Sequence, residues 1–328
     1  MSERPKVLYM ARELPDEARA ILEAACATDY LPPDRAQLLA AIGGYDALWS
    51  QFDFKIDKEI IERARRLKVI NTTSTGTDHI DKAECARRGI RVLSIAKDYG
   101  LLDTFTATAE CAWMLMLACH RRFRAASAAA HAGQWANSER FQGDQLSGRT
   151  LGVLGVGRLG RMTVEYGKAF RMRVLGCDPK SFAIPGVARV DFETLLCEAD
   201  ALSIHVHLTP QTRHLFNAAA FAKLKPGAVL VNTSRGDLID ETALLAALES
   251  GRLAAFGADV LHDEWRADMQ TQPVVQYAQN HDNVVLTPHI GGATRQSIVA
   301  ARIFSARKLV HYLRTGEELA YTAQRRSH

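Results

Sequence analysis

Residues 150–179, TLGVLGVGRLGRMTVEYGKAFRMRVLGCDP, limit the possible folds of this chain more than any other stretch. An apolar run with Leu151, Val153 and Leu154 predicts a buried parallel strand. Gly155-Val156-Gly157-Arg158-Leu159-Gly160 follows where that strand should turn into a helix, which Arg158 and Leu159 open. Leu159, Met162, Tyr166 and Phe170 recur at three- and four-residue steps and predict its apolar face. A second apolar strand, 173–177, ends at Asp178, 18 residues beyond Gly160.

Each part of this unit has a physical job. Gly155 permits a tight turn, Gly157 lets the backbone approach a pyrophosphate, and Gly160 lets the helix pack close to the strand. The helix N-terminus offers unpaired N–H groups and a positive dipole end to the phosphates. Asp178 can accept hydrogen bonds from the adenosine ribose, and its charge repels a 2′-phosphate, so NAD is expected rather than NADP.

At 328 residues the chain suits two domains. Its 47% hydrophobic and 24% charged residues are those of a globular protein. The net charge of +4 is spread in short clusters such as Arg63–Lys68 and His120–Arg124, which suit solvated helix faces and no nucleic-acid footprint. The six cysteines form no C-x-x-C pair and read as thiols of a reducing compartment. Residues 1–5 are polar, a first strand is expected at 6–10, and no apolar stretch is long enough to span a membrane; the expected location is cytoplasmic, with no membrane partner.

The first hundred residues alternate strands (6–9, 28–31, 47–49, 68–71, 90–94) with helices (15–25, 34–42, 56–65, 81–88), which predicts a parallel sheet covered on both faces. This part has no G-x-G-x-x-G. A long apolar helix is expected at 104–120 and a polar, alanine-rich arm or surface helix at 121–148. Beyond Asp178, strands are expected at 200–205, 228–232, 255–260 and 283–287, with helices at 218–223 and 241–249 and an irregular stretch at 265–279. Gly291-Gly292 breaks the chain before a long helix at 293–314, which is expected to return to the first domain; 324–328 reads as a frayed tail. The predicted fold is α/β, with two doubly wound Rossmann-like domains on parallel sheets and a cleft between them. A discontinuous substrate-binding domain takes 1–103 and 293–328, and an NAD-binding domain takes 104–292.

In open α/β sheets ligands bind beyond the carboxyl ends of the strands. Three such ends carry Arg235, then Asp259 with Glu264, then His289. Arg235 can hold a carboxylate bidentately. His289 can give or take a proton, and Glu264 can bind its other ring nitrogen and orient it. A nicotinamide supplies a hydride. Together these describe the interconversion of a 2-oxo acid and a 2-hydroxy acid. His205 and His207 end a strand beside the cofactor crevice, where cofactor contact is left open. No Walker A loop, G-x-S-x-G, H-E-x-x-H or spaced metal cluster is present, so no metal is expected.

The chain resembles the D-isomer-specific 2-hydroxyacid dehydrogenases over nearly its whole length. The segments that carry the resemblance are TTSTGTDHID (72–81), LGVLGVGRLGR (151–161), HVHLTPQTRHLFN (205–217), VNTSRGDLIDETAL (231–244), ADVLHDE (258–264) and TPHIGG (287–292). Arg235 and Glu264 stand 29 apart, and His289 follows 25 later, in that family's order.

The resemblance implies that Arg235 binds the substrate carboxylate, His289 is the acid/base and Glu264 its partner. It implies that Ser74, Thr75 and Gly76 close over the carboxylate, that Thr108, Thr233, Ser234 and Asp259 lie near the nicotinamide, and that Val206 and Thr212 lie along the cofactor. It also implies a homodimer acting on a small-molecule acid, with Trp135 of a partner subunit and residues 49–54 lining the pocket. Trp265, His207, His79 and Cys111 depart from the family's usual residues, and residues 96–103 lack its usual hinge composition. Two other readings share the scaffold: an NAD(H)-sensing, corepressor-like binding protein, and a reductase for a substrate other than a 2-oxo acid.

Overall fold

The computed structural model describes residues 3–11, 13–51, 53–136 and 138–321. The expected tail at 324–328 and Phe52 of the expected pocket stretch lie outside them. In chain order the first elements are β1 (Lys6–Met10), α1 (Asp16–Ala25), β2 (Ala27–Leu31), α2 (Arg35–Ala41), β3 (Ala47–Ser50) and α3 (Lys58–Arg63). Next come β4 (Val69–Asn71), α4 (Lys82–Arg87), β5 (Arg91–Leu93), α5 (Tyr99–Leu102), α6 (Ala107–His120) and α7 (Phe123–His131). Then follow β6 (Thr150–Leu154), α8 (Arg158–Ala169), β7 (Arg173–Cys177), β8 (Val187–Arg189), α9 (Phe192–Glu198) and β9 (Ala201–Ile204). The chain ends with α10 (Ala218–Lys223), β10 (Ala228–Asn232), α11 (Glu241–Glu249), β11 (Leu253–Ala258), α12 (Pro273–Asn280), β12 (Val284–Leu286) and α13 (Arg295–Thr315).

These elements form two compact units, Met1–Phe105 with Thr294–His328, and Thr106–Ala293. Unit 1 has a sheet of order β2-β1-β3-β4-β5, parallel throughout. Alternation of side chains along the strands feeds two cores. Val7, Tyr9 and Trp49 pack with α1 and α13 on one face, while Leu8, Met10 and Leu48 pack with α2, α3 and α4 on the other. Polar side chains start the helices: Asp34, Asp57 and Asp81 each accept a backbone N–H of the first turn.

Unit 2 has a parallel sheet of order β12-β11-β10-β9-β6-β7-β8. The order reverses between β6 and β9, so the crevice for a ligand opens beyond Leu154 and Ile204. Leu202, Ile204 and Leu230 face a core completed by α9 to α12, and Leu151, Val153, Val229 and Val231 face one completed by α6 and α8. Both sheets are the two Rossmann-like parallel sheets expected from the alternation.

Several local expectations are corrected. The row Leu159, Met162, Tyr166 and Phe170 is not the buried face of α8: Gly160, Thr163, Val164 and Gly167 are. Small residues win that face because the helix lies on the strands, with a Cβ on Gly167 meeting Leu151 at 2.5 Å. Tyr166 and Phe170 pack instead on Trp113 of α6, at ring-centroid distances of 5.9 and 5.0 Å. Residues 273–280 are helical, not irregular, because Pro273 suits the first turn and the Gln272 side chain accepts from Val275 N–H at 3.0 Å. The helix expected at 56–65 shrinks to α3, since Ile56 pairs with Ile80 in a parallel bridge and Asp57 caps. Elements α5, β8 and α9, of four, three and seven residues, were not anticipated.

Candidate active site

The carboxyl ends of β10, β11 and β12 in unit 2 carry the candidate residues. Asn232, fully buried at the end of β10, braces the first loop: its Nδ2 donates to Arg235 O at 2.8 Å and its Oδ1 accepts from Ser234 N–H at 2.9 Å. Ser234 Oγ donates to Ile204 O on β9 at 2.8 Å, which ties the loop to the neighbouring strand. Arg235 is partly exposed, and its Nη1 donates to Ser234 O at 2.6 Å. Gly236 sits where a Cβ would meet the carbonyl carbon of Leu261 at 2.0 Å, so the Arg235 loop is pressed against the loop that carries Glu264.

His289 lies in the turn after β12, with φ of 53°. That left-handed conformation is costly for a residue with a Cβ and persists only where neighbours over-determine it. Here they do. The Asp259 carboxylate, 2% exposed, accepts from Ile290 N–H at 2.8 Å, Gly291 N–H at 2.7 Å and Thr287 Oγ1 at 2.5 Å. His289 N–H donates to Asp259 O at 2.9 Å. A Cβ on Gly291 would meet Asp259 Oδ2 at 2.8 Å, and Thr108 of α6 lies against the same glycine.

The turn presents the imidazole to Glu264, whose Oε1 lies 2.8 Å from Nδ1. The two side chains are 14% and 32% exposed for Glu264 and His289, a partly shielded pair in which a hydrogen bond fixes the ring without burying it. The structure therefore brings Glu264 and His289 into contact, and the loops of Arg235 and Glu264 into backbone contact.

The cofactor residues are placed as follows. Gly155 has φ of 88°, and a Cβ there would meet His205 O at 2.5 Å and Val206 Cγ1 at 2.8 Å, so only glycine fits the turn from β6. Gly157 is the N-cap of α8, has no side-chain cap, and has nothing within 4 Å of its Cβ position. Arg158 and Leu159 are the first two residues of that helix. A Cβ on Gly160 would lie 1.9 Å from Gly155 O. The Asp178 carboxylate ends β7 and accepts from Val156 N–H and Lys180 N–H, each at 2.8 Å.

Thr212 Oγ1 donates to His207 O at 2.7 Å and accepts from Thr209 N–H, holding its own loop. Thr233 Oγ1 is buried and has no hydrogen-bond partner among the described residues. An uncapped helix N-terminus above an open glycine, an acid at the end of the next strand and this unanswered hydroxyl fit a dinucleotide in the crevice.

His205, left open by the sequence, serves the scaffold. Its Nε2 lies 2.8 Å from Ser203 Oγ and 3.0 Å from Thr163 Oγ1, joining β9 to α8. Burial pushes its pKa down to about 4. Cys111, at a departure from the family, is buried and touches Thr287 Oγ1 at 4.0 Å; burial pushes its thiol up to about 11.

In unit 1, Ser74, Thr75 and Gly76 follow β4. Ser74 Oγ lies 2.8 Å from Thr72 Oγ1 and donates to Gly76 O at 2.9 Å. Asn232 was missed in the sequence reading, although a polar residue closing an otherwise apolar buried strand is a signal for it. The groups of three or more His, Cys, Asp or Glu that hold metals are absent among the described residues.

Residues 113–291 match the family model for the D-isomer specific 2-hydroxyacid dehydrogenase, NAD binding domain. The chain is 35% identical over 323 residues to the glyoxylate reductase of Thermococcus litoralis, covering 94% of each chain. It is 35% identical over 265 residues to the hydroxypyruvate reductase of Thermotoga maritima, covering 80% of this chain and 83% of that one. Among solved structures, a glyoxylate reductase from Paecilomyes thermophila matches with a TM-score of 0.83 at 29% identity, covering 98% of each chain. The chain therefore belongs to the D-isomer-specific 2-hydroxyacid dehydrogenases, NAD-dependent oxidoreductases that interconvert 2-oxo and 2-hydroxy acids.

Proposed function

We propose that this enzyme reduces small 2-oxo acids of the glyoxylate and hydroxypyruvate kind to the D-2-hydroxy acid, with His289 as acid/base, Glu264 orienting it and Arg235 binding the carboxylate. The observation that carries the reading is the Glu264 Oε1 to His289 Nδ1 contact of 2.8 Å on a turn clamped by Asp259. With Nδ1 engaged, Nε2 is the nitrogen that gives its proton to the carbonyl oxygen of the substrate and recovers it in the reverse direction. Arg235 holds the carboxylate and draws charge toward the adjacent carbonyl. Bound NADH supplies the hydride.

Gly155, Gly157, Arg158, Leu159 and Gly160 would hold the pyrophosphate, Asp178 the adenosine ribose, and Thr108, Val206, Thr212, Thr233, Ser234 and Asp259 the remaining length of the cofactor. Asp259 does so mainly by shaping the His289 turn, since that turn takes both its carboxylate oxygens. Ser74, Thr75 and Gly76 would offer hydroxyl and backbone donors to the substrate carboxylate. Exposed apolar side chains on and near α6 and α7, Met114, Phe123 and Trp135, support a homodimer. Six unpaired cysteines support a reducing, cytoplasmic setting.

The test follows NADH oxidation across 2-oxo acids from glyoxylate and hydroxypyruvate to branched and aromatic members, with NADPH in parallel. His289→Ala is expected to lower kcat/KM by roughly 10²–10⁴-fold. Tight NADH binding with no turnover on any member would reject the catalytic reading in favour of a cofactor sensor. Preference for NADPH would reject the role of Asp178.

A further inference from the structure

Unit 1 contains a pocket of about 510 Å³ bounded by α4, β5 with the loop that follows it, and α13. Four cations line it, Lys82, Arg91, Lys97 and Lys308, against a single lining carboxylate, Glu318. Lys308 is the unusual member. It is 3% exposed, and its Nζ donates to Ser94 O and to Asp98 Oδ2, each at 2.8 Å. Two of its three N–H groups are thus answered from behind. Beyond these, Nζ has Glu318 Oε2 at 3.9 Å, past hydrogen-bonding distance, and the Phe304 ring with its centroid at 5.7 Å.

Glu318 sits on the strap that follows α13. Its Oε1 accepts from Arg91 Nε at 2.7 Å, so one carboxylate bridges the exposed guanidinium and the buried ammonium. The strap is anchored further along, where Tyr321 N–H donates to Asp98 Oδ1 at 3.1 Å and the Tyr321 ring packs on Phe304. Ile90, Val92 and Tyr312 give the same pocket an apolar wall. With Asp98 balancing Lys308, the remaining lining charge is three cations against one anion.

We propose that this pocket binds a small organic anion, a carboxylate or phosphate ester with a compact apolar body, and that Glu318 occupies the anion position as an internal competitor. The charged group of the ligand takes the place of the Glu318 carboxylate between Arg91 and Lys308. Lys82 and Lys97 add long-range attraction at the rim, and the apolar wall receives the body. The pocket lies wholly within unit 1 and does not depend on the catalytic roles proposed above.

The competitor makes a prediction with a sign that a merely basic surface lacks. The full chain is saturated with NADH and carries Arg235→Ala, so that neither the cofactor crevice nor the proposed carboxylate site takes the probe. Phenyl phosphate, benzoate and inorganic phosphate are titrated in parallel, reading the backbone amide resonances of Gly89, Val92 and Ala96. Phenyl phosphate or benzoate is expected to shift these amides saturably and more tightly than inorganic phosphate does. Glu318→Gln is expected to tighten binding about tenfold, and Lys82→Ala with Lys97→Ala to weaken it several-fold.

No saturable shift up to roughly 10 mM, where affinity falls to that of a weak surface contact, would overturn the site. So would binding that Glu318→Gln leaves unchanged or weakens. Inorganic phosphate binding as tightly as its phenyl ester would overturn the role of the apolar wall. Circular dichroism of every variant separates lost binding from lost folding; Lys82, Lys97 and Glu318 are exposed positions.

Discussion

Unit 1 ends β3 and β4 in Ser50, Thr72, Thr73 and Ser74, a set of neutral hydroxyls that bond to one another and to the chain. Unit 2 ends β10, β11 and β12 in Arg235, Asp259 with Glu264, and His289. Both sheets are parallel and doubly wound, so the architecture does not account for the difference. What differs is what the strand ends carry. Unit 2 carries titratable groups and a glycine turn open to a dinucleotide, whereas unit 1 carries, just beyond the end of β5, the buried Lys308–Asp98 pair, in which each charge answers the other. The same scaffold thus carries titratable side chains at three strand ends in one unit and neutral hydroxyls at two strand ends in the other.

The largest expected effect tests how closely unit 2 is built around its cofactor turn. Gly160→Ala places a Cβ 1.9 Å from a backbone oxygen, which neither partner can escape without moving α8 off β6. A loss of about 3 kcal/mol in urea unfolding is expected, together with weakened NADH binding measured by fluorescence titration. An alanine variant that binds NADH normally would show that the glycine turn is not what equips this unit.

A smaller effect separates the units by pH. Burial, with the nearby Arg149 charge assisting, pushes His120 down to about 4, and burial alone does the same to His205; both lie in unit 2. The unfolded chain therefore takes up protons first. Stability is complete above about pH 6.5 and falls as the pH drops toward 4, by at most roughly 3 kcal/mol for each ring. Urea midpoints at a series of pH values measure the slope, which His205→Asn should flatten. An unchanged slope would mean that another group carries the acid sensitivity.

The smallest effect falls on the neutral edge of unit 1. Ser74→Ala removes one of the two hydroxyls of the proposed Ser74-Thr75-Gly76 donor loop and leaves its backbone N–H groups in place. KM for the best 2-oxo acid is expected to rise a few-fold with kcat nearly kept, the signature of a lost uniform binding contact. A fall in kcat as large as that of His289→Ala would erase the contrast between the two edges.

Local chemistry made much of this legible in the sequence. Alternating strands and helices announced two parallel sheets, and the glycine spacing before Asp178 announced the cofactor turn. The order Arg235, Glu264, His289 marked three strand ends as a candidate site, because polar residues rarely close apolar parallel strands without cause. The buried face of α8 was misread, since hydrophobicity does not reveal that a glycine and a threonine face the sheet when backbones must approach closely. Helix α12 was hidden because its β-branched start looks irregular until Gln272 is seen capping it.

The sequence by itself determined the fold class, the cofactor class and the residue types at three strand ends, because each follows from short-range periodicity or from chemistry tied to one residue. Only the tertiary structure decided what holds those residues in place. Asp259 locks the strained His289 turn from 30 residues away, Ser234 ties the Arg235 loop to Ile204, 30 residues earlier, and Glu318 closes on Arg91 from 227 residues along the chain. Such contacts depend on how distant segments pack, and no local pattern encodes the distance between two segments that meet only in the folded chain.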